Sequence, residues 1–423
     1  MKTLYRLLIS LIVLTTSLGA ETKVLSVDDV IQRIEEVDPA IAASRFKTLA
    51  AKASTEKSKS AYYPKVDLQS LIPVPGGMPG SYGEIGVRGV MVSPFHTGNS
   101  IGLLASYTLF DFGRTKNAVK SAEQDEISKK EEAKITRINT VQSTLHVYYD
   151  CIKYKSLADT WTEKLKRLKF LQGEVGKFVS TGQRSIVDTY LMKSHVEKIQ
   201  TQLKVFEENL ESSEQNLSLL LEIPREQLVL PELEKLHEAA DQEEVDISNS
   251  PFVKKAESDL LVSKSKLDVA KAGAMPEIKS MGSVGDFDQG RTAPKQNWAV
   301  GFGINVPIFE GFKVKKDIEE AEALMSEKQK ELEATRKHIL ETNIKLNKAI
   351  ENSRIQITHL TEELKIAEEG YRAANGRYAN FQGTLLDLRE TIINLYRVKS
   401  EMIDAKVRLS LYQNVHNLVN GIL

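Results

Sequence analysis

The stretch Trp298–Lys313, WAVGFGINVPIFEGFK, decides the fold of this chain. Large apolar side chains alternate with small or polar ones, and this period of two places the two sets on opposite faces of a β-strand. Pro307 argues against continuing the strand, and Gly311 permits a sharp change of direction. A long charged helical pattern follows directly. The large side chains are Val300, Phe302, Ile304 and Val306.

The same arrangement occurs earlier, as IGLLASYTLFDFGRTK over Ile101–Lys116. Its strand also has one face of larger side chains, and a charged helical pattern again follows. A strand with an apolar outer face that leads into a solvated helix predicts a protein that is half in lipid and half in water. The larger face comprises Ile101, Leu103, Ala105, Tyr107 and Leu109.

The first 20 residues have the pattern of a signal peptide. Lys2 and Arg6 precede the apolar run Leu7–Leu14, and a cleavage site is predicted at Ser17–Ala20. The alternative, an uncleaved anchor, is disfavoured because a membrane span needs about 18 apolar residues. No later stretch is long and apolar enough for a transmembrane helix. An exported chain of this kind enters a membrane only as strands of a closed barrel, since lipid does not tolerate unpaired strand edges.

Composition and motifs argue against several functional classes. The formal net charge is −1, so no basic excess indicates a nucleic-acid partner. The 7 histidines are dispersed without metal-ligand spacing, and the one cysteine, Cys151, lies in a helical pattern typical of a small core residue. There is no phosphate-binding glycine loop and no nucleophile-elbow serine. We therefore expect no catalytic residues, no metal and no cofactor, and the protein is predicted not to be an enzyme.

The chain contains a long internal repeat. Residues 21–231 and 250–423 share one predicted order of elements: helix, two strands, and a pair of long helices. An acidic connector, residues 232–249, joins them, and a Gly- and Pro-rich loop spans residues 73–100 in the first repeat. Two equivalent halves indicate duplication of one structural unit. The matched positions are Pro39 and Pro251, Pro64 and Pro276, Phe178 and Tyr378, and Asp188 and Asp387.

Each repeat predicts a long helical hairpin. The first helix of the first repeat spans about Arg114–Val179, which at 1.5 Å per residue is roughly 95 Å long. The returning helix has apolar residues at a strict seven-residue spacing, the signature of coiled-coil packing. The second repeat predicts helices over Val314–Asn375 and Leu385–Leu418. Four strands per chain cannot close a barrel, so several chains must contribute to one barrel. Three chains would give twelve strands, and the sequence leaves other numbers open.

These features resemble the outer-membrane efflux protein family, the TolC-like channels, over nearly the whole mature chain. The motifs occur in the same order in both halves, and their order is more specific than any single piece. They are Asp38-Pro39 and Ser250-Pro251 at helix starts, Tyr63-Pro64 and Met275-Pro276 before strands, LFDFGR (Leu109–Arg114) and IFEGFK (Ile308–Lys313) at the strand–helix junctions, and the helical turns FVSTGQRSIVD (Phe178–Asp188) and RYANFQGTLLDL (Arg377–Leu388).

The resemblance implies a mainly α fold with a small β part. Duplicated antiparallel helical hairpins would form an α-barrel, and four strands per chain would contribute to a trimeric twelve-stranded transmembrane β-barrel. It implies a homotrimer in the cell outer membrane with a long periplasmic extension. Its partners would be outer-membrane lipid, a periplasmic adaptor and an inner-membrane pump of the resistance-nodulation-division, ABC or major-facilitator type.

The function implied is a passive exit duct of a tripartite efflux pump or a type I secretion system, gated at its periplasmic helical tip. The alternative is a structural periplasmic coiled-coil protein or an adaptor that bridges the two membranes. An adaptor would need one helical hairpin with lipoyl-like and β-barrel domains, whereas this chain has two hairpins and duplicated alternating strands.

The resemblance places a gate at the two helical turns. Asp387 and Glu390 are three residues apart on one helix, so they share a face, and a trimer would have six such carboxylates around a narrow mouth. The alternative is an ordinary solvated acidic pair. Tyr378, Arg184 and Asp188 are expected to tie the inner hairpin to its neighbour, the alternative for Arg184 being a solvated turn residue.

Two further sets of residues are predicted to meet partners. Adaptor contact is assigned to Gly182, Arg184, Gly383 and Leu385, at the two turns. Trp298 and Phe309 lie at strand ends and are predicted to sit at a membrane interface, where aromatic rings are favoured. The alternative for these two aromatic residues is core packing beneath the barrel.

Overall fold

The computed structural model describes residues 24–71, 86–87, 90–91, 100–235, 247–286 and 296–420. The predicted signal peptide, most of the predicted loop 73–100 and the middle of the connector 232–249 lie outside these residues. The chain divides into two compact units. The helical unit contains the chain up to Ala43, Ile135–Ile247 and Leu340–Leu423, and the sheet unit contains Ser44–Lys134 and Ser248–Ile339. Each unit therefore draws on both halves of the sequence.

Both halves contain a helix, two strands of one four-stranded sheet and a pair of long helices in that order, and the first half has one additional helix and two short additional strands. In the first half, helices and strands follow as α1 (Val27–Val37), α2 (Pro39–Lys59), β1 (Lys65–Leu71), β2 (Gly86–Val87), β3 (Val90–Met91), β4 (Ser100–Phe110), α3 (Arg114–Ser180) and α4 (Ile186–Leu221). In the second half they are α5 (Pro251–Ala272), β5 (Glu277–Asp286), β6 (Gln296–Asn305), α6 (Lys313–Ala379) and α7 (Leu385–Val419). The predicted mainly α fold with a small β part is confirmed.

Helices α3 and α6 each contain 67 residues, which corresponds to a length of about 100 Å. The predicted end of α3 was correct within one residue, whereas α6 continues four residues beyond the predicted Asn375. Within the predicted loop 73–100, β2 pairs antiparallel with β3. In the described ranges, no helix has both the length and the apolar character that crossing a bilayer requires.

The sheet unit contains a four-stranded antiparallel sheet in the order β1-β4-β5-β6. Its register aligns Leu68 with Leu103, Leu103 with Val284, and Val284 with Trp298. Residues paired in this way lie on the same face of a sheet, so the large side chains of all four strands share one face. We call this the apolar face, and its members include Val66, Leu68, Ile101, Leu103, Val284, Trp298, Val300, Phe302 and Ile304, all exposed.

The opposite face of the sheet has mostly small or polar side chains. Along β6 it consists of Ala299, Gly301, Gly303 and Asn305. Two larger residues on this face, Leu104 and Met281, are buried. The alternation predicted from Trp298–Lys313 therefore describes β6 correctly, and the neighbouring strands repeat it.

The core of the helical unit is a long stripe between the helices. Near the two helical turns, residues from α3, α4, α6 and α7 form one buried cluster that includes Leu168, Val196, Leu388 and Ile392. Val196, Ile199, Leu203 and Leu217 of α4 are buried, as the seven-residue spacing predicts. Polar pairs interrupt the apolar core elsewhere: the Asn343 and Asn420 amides exchange hydrogen bonds of 3.1 and 3.0 Å.

Cys151 lies in this core, fully buried. Burial raises the pKa of its thiol to about 12, so the thiolate that reacts with electrophiles and metals is scarce at neutral pH. Its position agrees with the prediction of a small core residue.

Candidate functional site at the helical turns

The turn between α3 and α4 and the turn between α6 and α7 have the same backbone pattern. In the first, the amides of Gln183 and Arg184 donate to the Phe178 carbonyl at 2.8 and 3.2 Å. In the second, the amides of Gln382 and Gly383 donate to the Arg377 carbonyl at 2.8 and 3.1 Å. Phe178 therefore corresponds to Arg377. The sequence match of Phe178 with Tyr378 was wrong by one residue.

The corrected alignment explains why the two turns have glycine at different places. Gly182 adopts a positive φ of 74° in the first turn, and Phe381 takes the same position in the second with a φ of 61°. A phenylalanine is strained in this left-handed region, where glycine is favoured. Gly383 instead corresponds to Arg184. The two turns thus share one backbone geometry. Their side chains differ at two positions, where Gly182 corresponds to Phe381 and Arg184 to Gly383.

Arg184 links the first turn to the second within one chain. Its guanidinium Nη2 donates to the Gly383 carbonyl at 2.9 Å and to the Tyr378 carbonyl at 3.3 Å. The guanidinium also lies 4.6 Å from the centre of the Tyr378 ring, within the range of a cation–π contact. This set of contacts, which we call the Arg184 clasp, brings together two of the residues assigned to the gate.

Aromatic rings surround the clasp. Phe381 lies edge-on to Phe178, with ring centres 4.9 Å apart, and its ring is 5.5 Å from the Arg184 guanidinium. Tyr378 is 2% exposed, and burial raises the pKa of its hydroxyl. Sequence reasoning assigned no role to Phe381. The available signal was the shifted glycine of the second turn, which left a bulky residue at the left-handed position.

Asp387 completes the capping box of α7, in which Thr384 is the N-cap residue. Its carboxylate accepts a hydrogen bond from the Thr384 amide at 3.2 Å, and its own amide donates to the Thr384 hydroxyl at 3.1 Å. These bonds to Thr384 hold the pKa of Asp387 below its ordinary value. Glu390, three residues later, is exposed and accepts a hydrogen bond from Arg389 at 3.0 Å. Both carboxylates lie at the surface of the chain, each already bonded to a neighbour.

The remaining residues assigned to the gate and to adaptor contact differ in their burial and contacts. Asp188 is half-buried, and no hydrogen bond or ion pair joins its carboxylate to Arg184 or Tyr378 in the described part of the chain. Leu385 is 5% exposed and packs in the core cluster. It is therefore a core residue of this chain, and the exposed apolar side chain next to it is Leu386.

Gly182, assigned to adaptor contact, is exposed at the first turn, while Gly383 is half-buried beneath the clasp. In the sheet unit, Trp298 is 76% exposed and Phe309 73% exposed. They lie near opposite ends of β6, Trp298 at its start and Phe309 beyond its last residue. Neither packs in a core of the chain, which disfavours the alternative of core packing within the chain.

A buried cation on α3, about four helical turns before the end of that helix, was also missed. Lys164 of α3 is 4% exposed, and its ammonium lies 4.2 Å from the Trp161 ring and 5.3 Å from the Tyr396 ring. No carboxylate pairs with it among the described residues. Burial lowers its pKa to about 8. The nearby His195 has a pKa of about 4, lowered by burial and by Lys164, so the imidazole is neutral at physiological pH.

The chain is similar to known channel proteins. The family model for "Outer membrane efflux protein" matches residues 246–420. Nodulation protein T of Rhizobium leguminosarum bv. trifolii is 24% identical over 327 residues, which are 74% of this chain and 69% of that protein. The outer membrane protein VceC from Vibrio cholerae gives a TM-score of 0.79 at 15% identity, covering 93% of this chain and 96% of that one.

A second solved structure agrees with the first. CusC, described by its transmembrane channel formation, gives a TM-score of 0.81 at 16% identity and covers 96% of this chain and 95% of that one. These findings confirm the resemblance drawn from the motifs. They also show that the chain has the fold of outer membrane channel proteins.

Proposed function

We propose that this chain, whose residues 246–420 are an outer membrane efflux protein domain, is one subunit of a passive export channel in the outer membrane. The observation that carries the proposal is the apolar face of the sheet. Its large side chains are exposed along all four strands, with Trp298, Phe302 and Ile304 among the most exposed. Such a face suits contact with lipid, and the small and polar opposite face suits the lining of an aqueous pore.

The proposed channel requires more than one copy of the chain. Strands β1 and β6 form the two outer edges of the sheet, and lipid does not tolerate unpaired edges. Copies placed side by side would pair β1 of one subunit with β6 of the next. We propose a homotrimer, in which twelve strands close one barrel and the helices extend into the periplasm as an α-barrel.

We further propose that the turns are the gate and the place where a periplasmic adaptor binds. The Arg184 clasp supports the first part, because it joins the two helical hairpins through contacts that a modest movement would break. In this role Asp387 and Glu390 of three subunits surround the periplasmic opening. Energy for export comes from an inner-membrane pump, which makes the duct one component of a tripartite efflux pump or a type I secretion system.

The alternative of a periplasmic coiled-coil or adaptor protein receives less support. It accounts for the long helices but gives no role to the apolar face. The chain also has two helical hairpins and a sheet built from both halves, where an adaptor needs one hairpin. The channel accounts for all three features together.

A pair of matched substitutions on β6 tests the proposal. Val300→Lys places a charge on the apolar face, and Ala299→Lys places the same charge one residue away on the opposite face. A lysine on the lipid face near mid-membrane costs about 2–4 kcal/mol. We expect Val300→Lys to reduce heat-modifiable trimers in the outer-membrane fraction and to abolish conductance in planar bilayers, while Ala299→Lys assembles normally.

Equal behaviour of the two variants would overturn the contact between the apolar face and lipid. A mature wild-type chain that purifies as a monomer without detergent would overturn the channel itself. A trimer that forms and conducts while Val300→Lys is tolerated would show that the apolar face meets something other than lipid.

A further inference from the structure

The end of the sheet nearest the long helices has an unusual concentration of exposed aromatic and basic side chains. The register places Lys65, Phe110, Glu277 and Asn305 at this same end. Strands β1, β4, β5 and β6 all join their helices here. Exposed aromatic or large apolar side chains lie at or next to all four junctions: Tyr62, Tyr63, Phe110, Phe112, Met275, Ile308, Phe309 and Phe312.

Two of these phenylalanines are held in a strained backbone conformation. Phe112 has a φ of 52° and Phe312 a φ of 65°, the left-handed region that bulky residues rarely adopt. They lie in equivalent turns, after β4 and after β6, but one position apart: Phe112 corresponds to Gly311 and Gly113 to Phe312, and all four residues have a positive φ. Each phenylalanine packs edge-on against a neighbour, Phe110 or Phe309. Both rings are exposed, so burial of the rings does not explain why both turns use phenylalanine. Glycine at either position would relieve the backbone strain.

Basic side chains follow the aromatic rings immediately. Helix α3 begins with Arg114 and Lys116, and helix α6 begins with Lys313, Lys315 and Lys316. The first turns of both helices contain no acidic residue. Basic side chains at a helix start interact unfavourably with the helix dipole, which favours acidic side chains there. Helices α1, α4 and α7 follow that preference, with Asp188 in the first turn of α4 and Asp387 in that of α7, whereas α2 and α5 also begin without an acidic residue.

Negative charge within the described residues offsets only part of this positive charge. Arg114, Lys116 and Lys120 have no carboxylate within ion-pair distance in the described residues. Lys313, Lys315 and Lys316 pair only with exposed Asp317 and Glu319 of their own helix, the closest pair at 2.6 Å. Such exposed pairs are weak and exchange readily with other anions.

Each of the two junctions that lead into α3 and α6 contains one acidic residue, Asp111 or Glu310. Asp111 is engaged in capping α3, where its carboxylate accepts hydrogen bonds from the amides of Gly113 and Thr115 at 3.1 and 2.7 Å. Glu310 is exposed between Phe309 and Phe312. Six exposed cations therefore lie beside a belt of aromatic rings, and three of them, Arg114, Lys116 and Lys120, have no carboxylate partner among the described residues.

We propose that this collar of aromatic and basic residues binds anionic phospholipid headgroups in the membrane leaflet next to the helices. The collar lies directly at the end of the apolar face, so a bilayer that covers that face brings its headgroups to the cations. Aromatic rings settle at the interface, and the lysine and arginine side chains reach the phosphates beside it. The inference rests on the proposed outer-membrane channel. It adds the class of lipid that the channel binds at the end of the sheet nearest the long helices.

The experiment compares two variants of the full mature chain, each with six cations changed to glutamine. Both are reconstituted in nanodiscs of zwitterionic lipid with a minor fraction of phosphatidylglycerol, and the lipid nearest the protein is quantified by native mass spectrometry after mild delipidation. The collar variant replaces Arg114, Lys116, Lys120, Lys313, Lys315 and Lys316. The control variant replaces Lys193, Lys204, Lys337, Lys345, Lys348 and Lys365, which are exposed and have no ion-pair partner among the described residues.

One surface cation near an anionic bilayer changes binding about fivefold. We expect the wild type and the control variant to retain phosphatidylglycerol at least about fivefold over the zwitterionic lipid, and the collar variant to lose this preference. High salt should weaken the preference, because it screens exposed charges. Conductance in neutral bilayers is measured in parallel for all three proteins.

The parallel measurement separates the two ideas. Wild type that conducts but shows no preference for phosphatidylglycerol overturns the inference and leaves the channel standing. Equal loss of preference in both variants also overturns it, since net charge alone would then be responsible. Wild type that neither inserts nor conducts overturns the channel itself, and the collar with it.

Discussion

Removing the Arg184 clasp should loosen the second helical turn and open the proposed gate. Arg184→Gln deletes a charged donor to two backbone carbonyls, at 2.9 and 3.3 Å, and the cation–π contact with Tyr378. A hydrogen bond from a charged group contributes about 1.5–3 kcal/mol, and a cation–π contact about 0.5–2 kcal/mol. The longer bond is weak and the glutamine amide recovers part of the loss. We therefore expect Arg184→Gln to destabilise the clasped state by about 3 kcal/mol, which is roughly a 150-fold shift towards the unclasped state.

Hydrogen exchange provides an assay that does not depend on the channel. In the wild type, the Gln382 and Gly383 amides donate to the Arg377 carbonyl, and the clasp holds the Gly383 carbonyl beside them. In Arg184→Gln we expect these amides to exchange up to about 150 times faster, and the open probability in planar bilayers to rise. Arg184→Lys should resemble Arg184→Gln, because an ammonium cannot reproduce the planar fork of guanidinium.

The matched control for this prediction is Arg372→Gln. Arg372 lies on α6 in the same unit, is exposed, and pairs only with Glu368 on its own helix, at 3.8 Å. Arg372→Gln should leave both the hydrogen exchange of the Gln382 and Gly383 amides and the conductance unchanged. If Arg184→Gln leaves the turn amides as protected as in the wild type, or if Arg372→Gln loosens them equally, the clasp does not hold the turn.

Three further predictions concern the same region. Phe381→Gly relieves the positive φ that Phe381→Ala retains, while both lose the ring contact, so the glycine variant should be about 1 kcal/mol more stable in denaturant titrations than the alanine variant; an alanine variant equal to or better than glycine would contradict the strain. Lys164 has its pKa lowered from 10.5 to about 8, so its burial destabilises the fold below pH 8 and this penalty fades as pH rises towards 10.5. The stability of the wild type relative to Lys164→Met should therefore rise by about 3 kcal/mol between pH 7 and pH 10.5; parallel slopes in the two proteins would refute it. Asp387 has a lowered pKa, so its capping contribution is present at neutral pH and is lost as pH falls below the ordinary carboxyl range; Asp387→Asn should remove this acid-dependent exchange of the Thr384 amide, and an unchanged pH profile would count against the capping role.

The sequence predicts the sheet and the long helices well because both depend on periodicity. The alternation from Val300 to Val306 makes one face of β6 apolar whatever else packs nearby, and the seven-residue spacing in α4 buries Val196 and Leu203. The bounds of α3 follow from Gly113 before it and Gly182 after it. These signals are local, and each is repeated several times along an element.

The turns were predicted less well because single residues decide them. Aligning aromatic with aromatic set Phe178 against Tyr378, whereas backbone hydrogen bonds set it against Arg377. Leu385 was assigned to adaptor contact at the second turn, yet it is the first core residue of α7. Asp188 was expected to tie the inner hairpin to its neighbour because it lies close to the first turn in the sequence. Closeness in sequence does not determine the direction in which its carboxylate points. The Lys164 site depends on three helices packing together, which no single stretch of sequence shows.

Differences between the two turns explain how a duplicated unit yields a lock between its copies. Arg184 needs a free carbonyl across the interface, and Gly383 provides it at the equivalent place in the other turn, where an added Cβ would lie 3.2 Å from the Arg377 side chain. The left-handed position is then open to a larger residue, and Phe381 fills it beside Phe178 and the guanidinium. Two identical turns would present either two arginines or two glycines to each other. The asymmetry at these two positions therefore converts a repeat into a pair of complementary surfaces, which is the property that a closing contact between hairpins requires.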